Sequence, residues 1–215
     1  MTDQSTSQTR TRREFAQAIG ICRSLFEKKL GDYGVSWRIM RPESLTDQIM
    51  IKAKRIRSLE EKGGHGAIDE GINPEFIGIV NYCVIALIQL EIGVSASITG
   101  NEMDSQEVMQ LYDKEIDRAT SLMLDKNHDY DEAWRDMRVS SFTDIILQKL
   151  LRTKEIENHN GKTQVSEGVE ANYMDMINYA LFALIKLGEK PESDKPLQPA
   201  APESGFISFN NNPQQ

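Results

Sequence analysis

Sliding the chain against itself by 97 residues lays Leu25–Leu90 over Leu122–Leu187 without a gap, with roughly 24 of 66 positions identical. The chain is a tandem duplication. A unit of about 66 residues is too small to bury a central helix well by itself, so the two copies are expected to share one core. The expected architecture is a single domain in which two three-helix units are related by pseudo-two-fold symmetry, like a homodimer fused through Gly93–Asp104. Whether the chain is a monomer or a homodimer stays open, because duplication already supplies internally the symmetry that dimerisation would give.

Each copy reads as three helical pieces. The first ends at Asp32-Tyr33 or Asp129-Tyr130, and a connection carrying Trp37 or Trp134 follows. The second is expected to start near Ser44 or Ser141 as caps, with Ile49, Ala53, Ile56 and Leu59, or Ile146, Leu150 and Thr153, at helical spacing. The third starts near Asn73-Pro74 or Glu170 and ends past Leu90 or at Gly188. These third helices are apolar nearly all round, which makes them central and predicts that they pack on each other. Turns are expected at Gly63-Gly64-His65-Gly66 and Asn160-Gly161, and no strand alternation is present, so the fold class is all-α. Residues 1–13 and 188–215 read as disordered polar tails around a domain spanning 14–187. Five of the seven prolines fall after Gly188.

The formal net charge of -8 argues against a duplex nucleic-acid partner bound through bulk positive charge, although local basic clusters can still hold a phosphate. Neither polar tail accounts for it, so any phosphate pocket is a basic patch on an acidic body. Two cysteines, Cys22 and Cys83, form no disulfide framework or zinc spacing, and with no secretory leader pattern a reducing, cytoplasmic setting is expected. The longest apolar stretch, Phe76–Leu90, contains Asn81 and Gln89 and falls short of the roughly 20 residues of a membrane span.

Comparing the copies separates positions that drift from positions that hold. Apolar residues swap freely, as Val84 for Leu181 and Ile85 for Phe182. Polar residues match at Asp32/Asp129, Arg38/Arg135, Arg41/Arg138, Ser44/Ser141, Thr46/Thr143, Asp47/Asp144, Lys52/Lys149, Arg55/Arg152, Glu60/Glu157, Glu70/Glu167 and Asn81/Asn178. A core needs only volume and apolarity, so retained polar groups ask for another cause. One is structural: caps and ion pairs repeated because the fold is repeated. The other is an anion pocket in which Arg138, Lys149 and Arg152, with Arg41, Lys52 and Arg55 in copy one, neutralise phosphate. Carboxylates across it would hold Mg²⁺.

Glu167, Asp175 and Asn178 recur at spacings of eight and three, one face of a helix that includes Glu167. Copy one has Gly78 opposite Asp175 and Glu75 opposite Asn172, so its carboxylate stands elsewhere. Asp175 on an otherwise apolar helix must meet a cation, for which Arg152 or a metal would serve. In the enzymatic reading Asp144, Glu167 and Asp175 are catalytic, with Glu167 and Asp175 as metal ligands. Trp134 and Tyr130, like Trp37 and Tyr33, are candidates to stack on a base or to pack a hinge. His65, His128 and His159 occupy no equivalent positions, Cys83 suits the core, and no Walker loop, dinucleotide fingerprint, nucleophile elbow or HExxH is present.

The segments KNHDYDEAWRDMR (Lys126–Arg138), SFTDIILQKLLRTKEIE (Ser141–Glu157) and EGVEANYMDMINYALFAL (Glu167–Leu184), with their copy-one versions, resemble the nucleotide-modification-associated domain family, a domain of unknown function. The family's name reflects association with phage nucleotide- and base-modification systems. Asn172, Asp175 and Tyr179 are also similar to part of the last helix of MazG-type all-α nucleoside triphosphate pyrophosphohydrolases, whose ExxE pair on an earlier helix has no counterpart here. The resemblance implies a nucleotide or nucleoside phosphate ligand, handled by a Mg²⁺-dependent hydrolase, by a non-catalytic binding or accessory protein, or by neither if the matched charges form a buried structural network.

Overall fold

The computed structural model describes residues 2–63, 71–97, 103–159, 161–162 and 167–189. Six helices follow in order: α1 (Thr2–Tyr33), α2 (Pro42–Glu61), α3 (Asn73–Ile92), α4 (Ser105–Tyr130), α5 (Val139–Asn158) and α6 (Val169–Gly188). Short 3-10 turns at Ser36–Ile39 and Ala133–Asp136 link the first two helices of each copy. Moved by 97 residues, α2 and its 3-10 turn coincide end to end with α5 and its turn. Among the described residues there is no strand.

The helices form three layers of two. Nearly continuous apolar sequence lets α3 and α6 be buried on most sides, and their mutual contact is the most extensive in the bundle. On one face α2 covers α3, α5 covers α6, and α2 packs on α5; on the other, α1 and α4 close the core. At twenty residues α3 is long and apolar enough to cross a membrane by length and composition, but it is mostly buried in the bundle. The pseudo-two-fold relation exchanges α1 with α4, α2 with α5 and α3 with α6.

Three expectations change. First, α1 begins at Thr2, where polar composition suggests a disordered tail over residues 1–13. The repeat reaches upstream of Leu25: Thr11, Phe15, Ala18, Cys22 and Phe26 are buried on α1, and Val108, Tyr112, Glu115, Ala119 and Met123 occupy the same register on α4, also buried. The two sets share a helical period but no identities. Secondly, α2 and α5 start earlier than Ser44 and Ser141, with Arg41 and Arg138 in extended N-cap conformation and no side-chain cap. By contrast, Asp104 does cap α4, accepting from the Gln106 and Glu107 amides. Thirdly, Glu167 precedes α6 rather than belonging to it. Residues 190–215, His65, Glu70 and Asn160 lie outside the described residues.

Candidate functional site

Much of the matched polar set makes contacts that repeat, some between the copies and some within each. Thr46 donates to Glu157 at 2.6 Å, and symmetrically Thr143 donates to Glu60 at 2.9 Å. Lys154 reaches Asp47 at 2.6 Å, and its equivalent Arg57 reaches Asp144 at 3.5 Å. The Asn81 amide donates to the Cys22 carbonyl at 3.1 Å, as Asn178 donates to that of Ala119 at 2.9 Å. Gln89 caps the Arg38 carbonyl at 3.0 Å, and Lys186 does the same for Arg135. These are repeated contacts of a repeated fold, and they place Asp144 on an exposed inter-helix pair rather than in a cleft.

Two of the matched pairs, Lys52/Lys149 and Asn81/Asn178, line two cavities at equivalent places. The copy-two cavity, about 430 Å³, has Tyr130, Trp134, Tyr179 and Phe182 as aromatic walls, with Lys126, Asn127, Lys149, Asp175, Asn178 and Glu167 as its polar groups. The copy-one cavity, about 290 Å³, is built from Tyr33, Trp37, Tyr82, Lys29, Lys52 and Asn81 at the same repeat positions, with Gly78 where Asp175 stands and Ile85 where Phe182 stands. In each, the end of the first helix supplies a lysine and a tyrosine, the 3-10 turn supplies the tryptophan, and the second helix supplies the second lysine. One face of the third helix presents Asp175, Asn178, Tyr179 and Phe182 together, since spacings of three, four and seven stack along a helix.

Asp175 is buried and holds both lysines. Lys126 donates to Oδ1 at 2.5 Å and Lys149 to Oδ2 at 2.6 Å. Its cations are therefore these two lysines, not Arg152, which is exposed and lines neither cavity. Burial acts to lower the Lys126 pKa, but the hydrogen bond and charge of Asp175 outweigh it and the net shift is upward. The Tyr179 hydroxyl is pushed up by burial, with Asp175 adding to the effect. Both carboxylate oxygens face ammonium groups, Glu167 is exposed at the margin, and no group of three or more acidic, His or Cys side chains among the described residues suits a metal ion. That donor set does not fit a divalent cation, which would have to displace two lysines.

Trp134 is buried with Phe182 stacked at 4.3 Å and 12°, and the Arg135 guanidinium lies 4.3 Å from its ring centre. Both groups crowd the ring and leave little of it for a base, and its buried Nε1–H has no partner. Tyr130, 71% exposed, has room to stack. In copy one the tryptophan is less enclosed: Trp37 is only half-buried, and Arg38 stands 5.8 Å from its ring centre.

Of the residues singled out from sequence, Lys149, Glu167, Asp175, Trp134 and Tyr130 meet in the copy-two cavity and Lys52 enters the copy-one cavity. Asp144, Arg138, Arg152, Arg41 and Arg55 line neither cavity; Arg55 binds Glu75 at 2.5 Å, and Arg41 and Arg138 are exposed at helix starts. Lys29/Lys126 and Tyr82/Tyr179 join them in the cavities, and their identity across the repeat is the readable signal for them. A family model described as nucleotide modification associated domain 1 matches the chain twice, over residues 29–90 and 126–187. Neither the curated proteins nor the solved structures provide a match.

Proposed function

Given that the chain belongs to the nucleotide modification associated domain 1 family, we propose that it binds nucleosides and their phosphates in the two repeat-related cavities. The observation that supports this most is the identity of six cavity residues across the copies. Lys29/Lys126, Tyr33/Tyr130, Trp37/Trp134, Lys52/Lys149, Asn81/Asn178 and Tyr82/Tyr179 are retained, while the apolar positions around them drift. Tyrosine rings at the mouth suit a base, whose stacking on an aromatic is worth about 1–3 kcal/mol. Lysines on two helices suit a phosphate as point charges with rotatable donors.

The test is a thermal-shift panel of nucleosides and their mono- and triphosphates, including modified bases, with and without Mg²⁺ or Mn²⁺. Binding predicts a concentration-dependent rise in Tm for a subset of the panel. No shift for any member contradicts it. Product analysis of the same mixtures tests the metal-dependent hydrolase reading, for which the lysine-held Asp175 offers no direct support. Shifts without product mark a binding or accessory protein.

A further inference from the structure

The two cavities differ in the charge that the third helix turns toward them, and we infer that they differ in ligand: the copy-one cavity takes a phosphate-bearing ligand, and the copy-two cavity excludes anions and takes the uncharged counterpart. The inference rests on the reading of both cavities as nucleotide sites. Lys29 matches Lys126 and Lys52 matches Lys149, so the cationic complement is the same. Glu167 stands at the copy-two margin, and its repeat equivalent Glu70 lies outside the described residues. What remains is position 78 against position 175.

In copy two the Asp175 carboxylate sits between both lysines at 2.5 and 2.6 Å, and an incoming phosphate would meet that carboxylate and have to break both pairs. In copy one there is no side chain at Gly78. Lys52 lies across the bare helix, and a Cβ at Gly78 would stand 2.6 Å from Lys52 Cε. Its counter-charge is Glu75, one helical turn earlier, reached at 3.3 Å, shared with Arg55 and not part of the cavity wall. Lys29 is exposed and has no ion pair among the described residues. Two ammonium groups thus face the copy-one cavity against one long, shared salt bridge. The aromatic walls differ as well: Trp37 is the more exposed tryptophan, while Trp134 is buried against Phe182 and Arg135.

The chain has two tryptophans, one in each cavity, so Trp134→Phe leaves Trp37 as reporter of copy one and Trp37→Phe leaves Trp134 as reporter of copy two. Titration with inorganic pyrophosphate at low ionic strength is expected to change Trp37 emission saturably, at a midpoint about tenfold or more below any Trp134 response. Gly78→Asp abolishes the Trp37 response; only the flexible end of Lys52 has to move to admit it. Asp175→Asn in the Trp37→Phe background, with folding checked by circular dichroism, releases two lysines and gives Trp134 a pyrophosphate response. Equal responses in the two wild-type cavities, survival of the Trp37 response in Gly78→Asp, or no pyrophosphate response at either reporter overturns the inference. Adenosine and thymidine, titrated in parallel, separate the two failures: nucleoside responses without pyrophosphate responses leave the nucleotide sites standing and remove the charge assignment.

Discussion

Lys149 and Asp175 form a 2.6 Å ion pair inside the copy-two cavity, whereas the repeat equivalent Lys52 crosses a glycine to reach Glu75 at 3.3 Å. The ammonium has stayed in register while its counter-charge has moved by one helical turn, from the residue facing the cavity to one behind it. Duplication therefore left two cavities with one plan and unequal electrostatics.

Asp175→Asn is expected to lower stability. A fully buried pair loses roughly 3–5 kcal/mol when one partner is removed, but Lys126 is close to half exposed and both lysines can turn to solvent, so the cost here is about 1–2 kcal/mol. Denaturant melts of the two proteins measure it. An increase in stability, as when one of several mutually repelling carboxylates is neutralised, would refute the pairing described here.

Tyr112 donates to Asn81 Oδ1 at 2.9 Å, and the equivalent of Tyr112 on α1 is Phe15. Correspondingly, Asn178 Oδ1 is buried without a partner. Phe15→Tyr is expected to supply the missing donor and stabilise the fold by about 1 kcal/mol, while Tyr112→Phe should cost about 1–2 kcal/mol by orphaning a second buried acceptor. Thermal unfolding of both variants decides it; destabilisation by both would break the symmetry argument.

At the α2–α5 seam the two threonines are not equal. Thr46 Oγ1 lies 2.6 Å from both Glu157 and the Tyr173 hydroxyl, while Thr143 meets Glu60 alone because Phe76 stands where Tyr173 does. Thr46→Val is expected to cost about 1–2 kcal/mol and Thr143→Val about 0.5–1 kcal/mol. The reverse order in urea melts would mean that the Tyr173 bridge contributes nothing.

The fold was largely legible because a gapless repeat reports shared packing before any element is assigned. The helix ends at Tyr33 and Tyr130, the central pairing of α3 with α6 and the burial of Cys83 all follow from matched positions and apolar periodicity. What stayed hidden had weak local signals. Residues 9–14 of α1 are all polar, and the buried register that begins at Thr11 shares its period with α4 but not its residues. Asp144 looked chemical because it is charged and repeated, yet it repeats because the seam repeats. Lys126 sits at the end of a helix, far in sequence from Asp175, and only the packing of α4 on α6 brings the two together.

Glu115 is completely buried on α4, accepts from Arg118 at 2.7 Å, and has its other oxygen unpartnered, close to Glu91. Burial pushes its carboxyl above the ordinary value of 4.5, against the pull of Arg118. A carboxyl raised by folding binds its proton more tightly folded than unfolded, so its contribution is fully present below about 4.5 and is lost as pH rises through the folded value. Glu115→Gln should therefore be more stable than the parent at pH 7, with the advantage shrinking as pH falls toward 4.5. A constant difference across that window, read by Tm against pH, would assign Glu115 an ion-pair role instead.

The most direct measurement of the central claim is calorimetric titration of nucleoside monophosphates into the parent chain and into Tyr82→Ala/Tyr179→Ala, a double variant that opens one wall of each cavity. The account predicts saturable heat for at least one nucleotide with the parent chain and its loss in the double variant, which keeps its helicity. Binding that survives unchanged in the double variant, or no heat from any nucleotide with the parent chain, would contradict it.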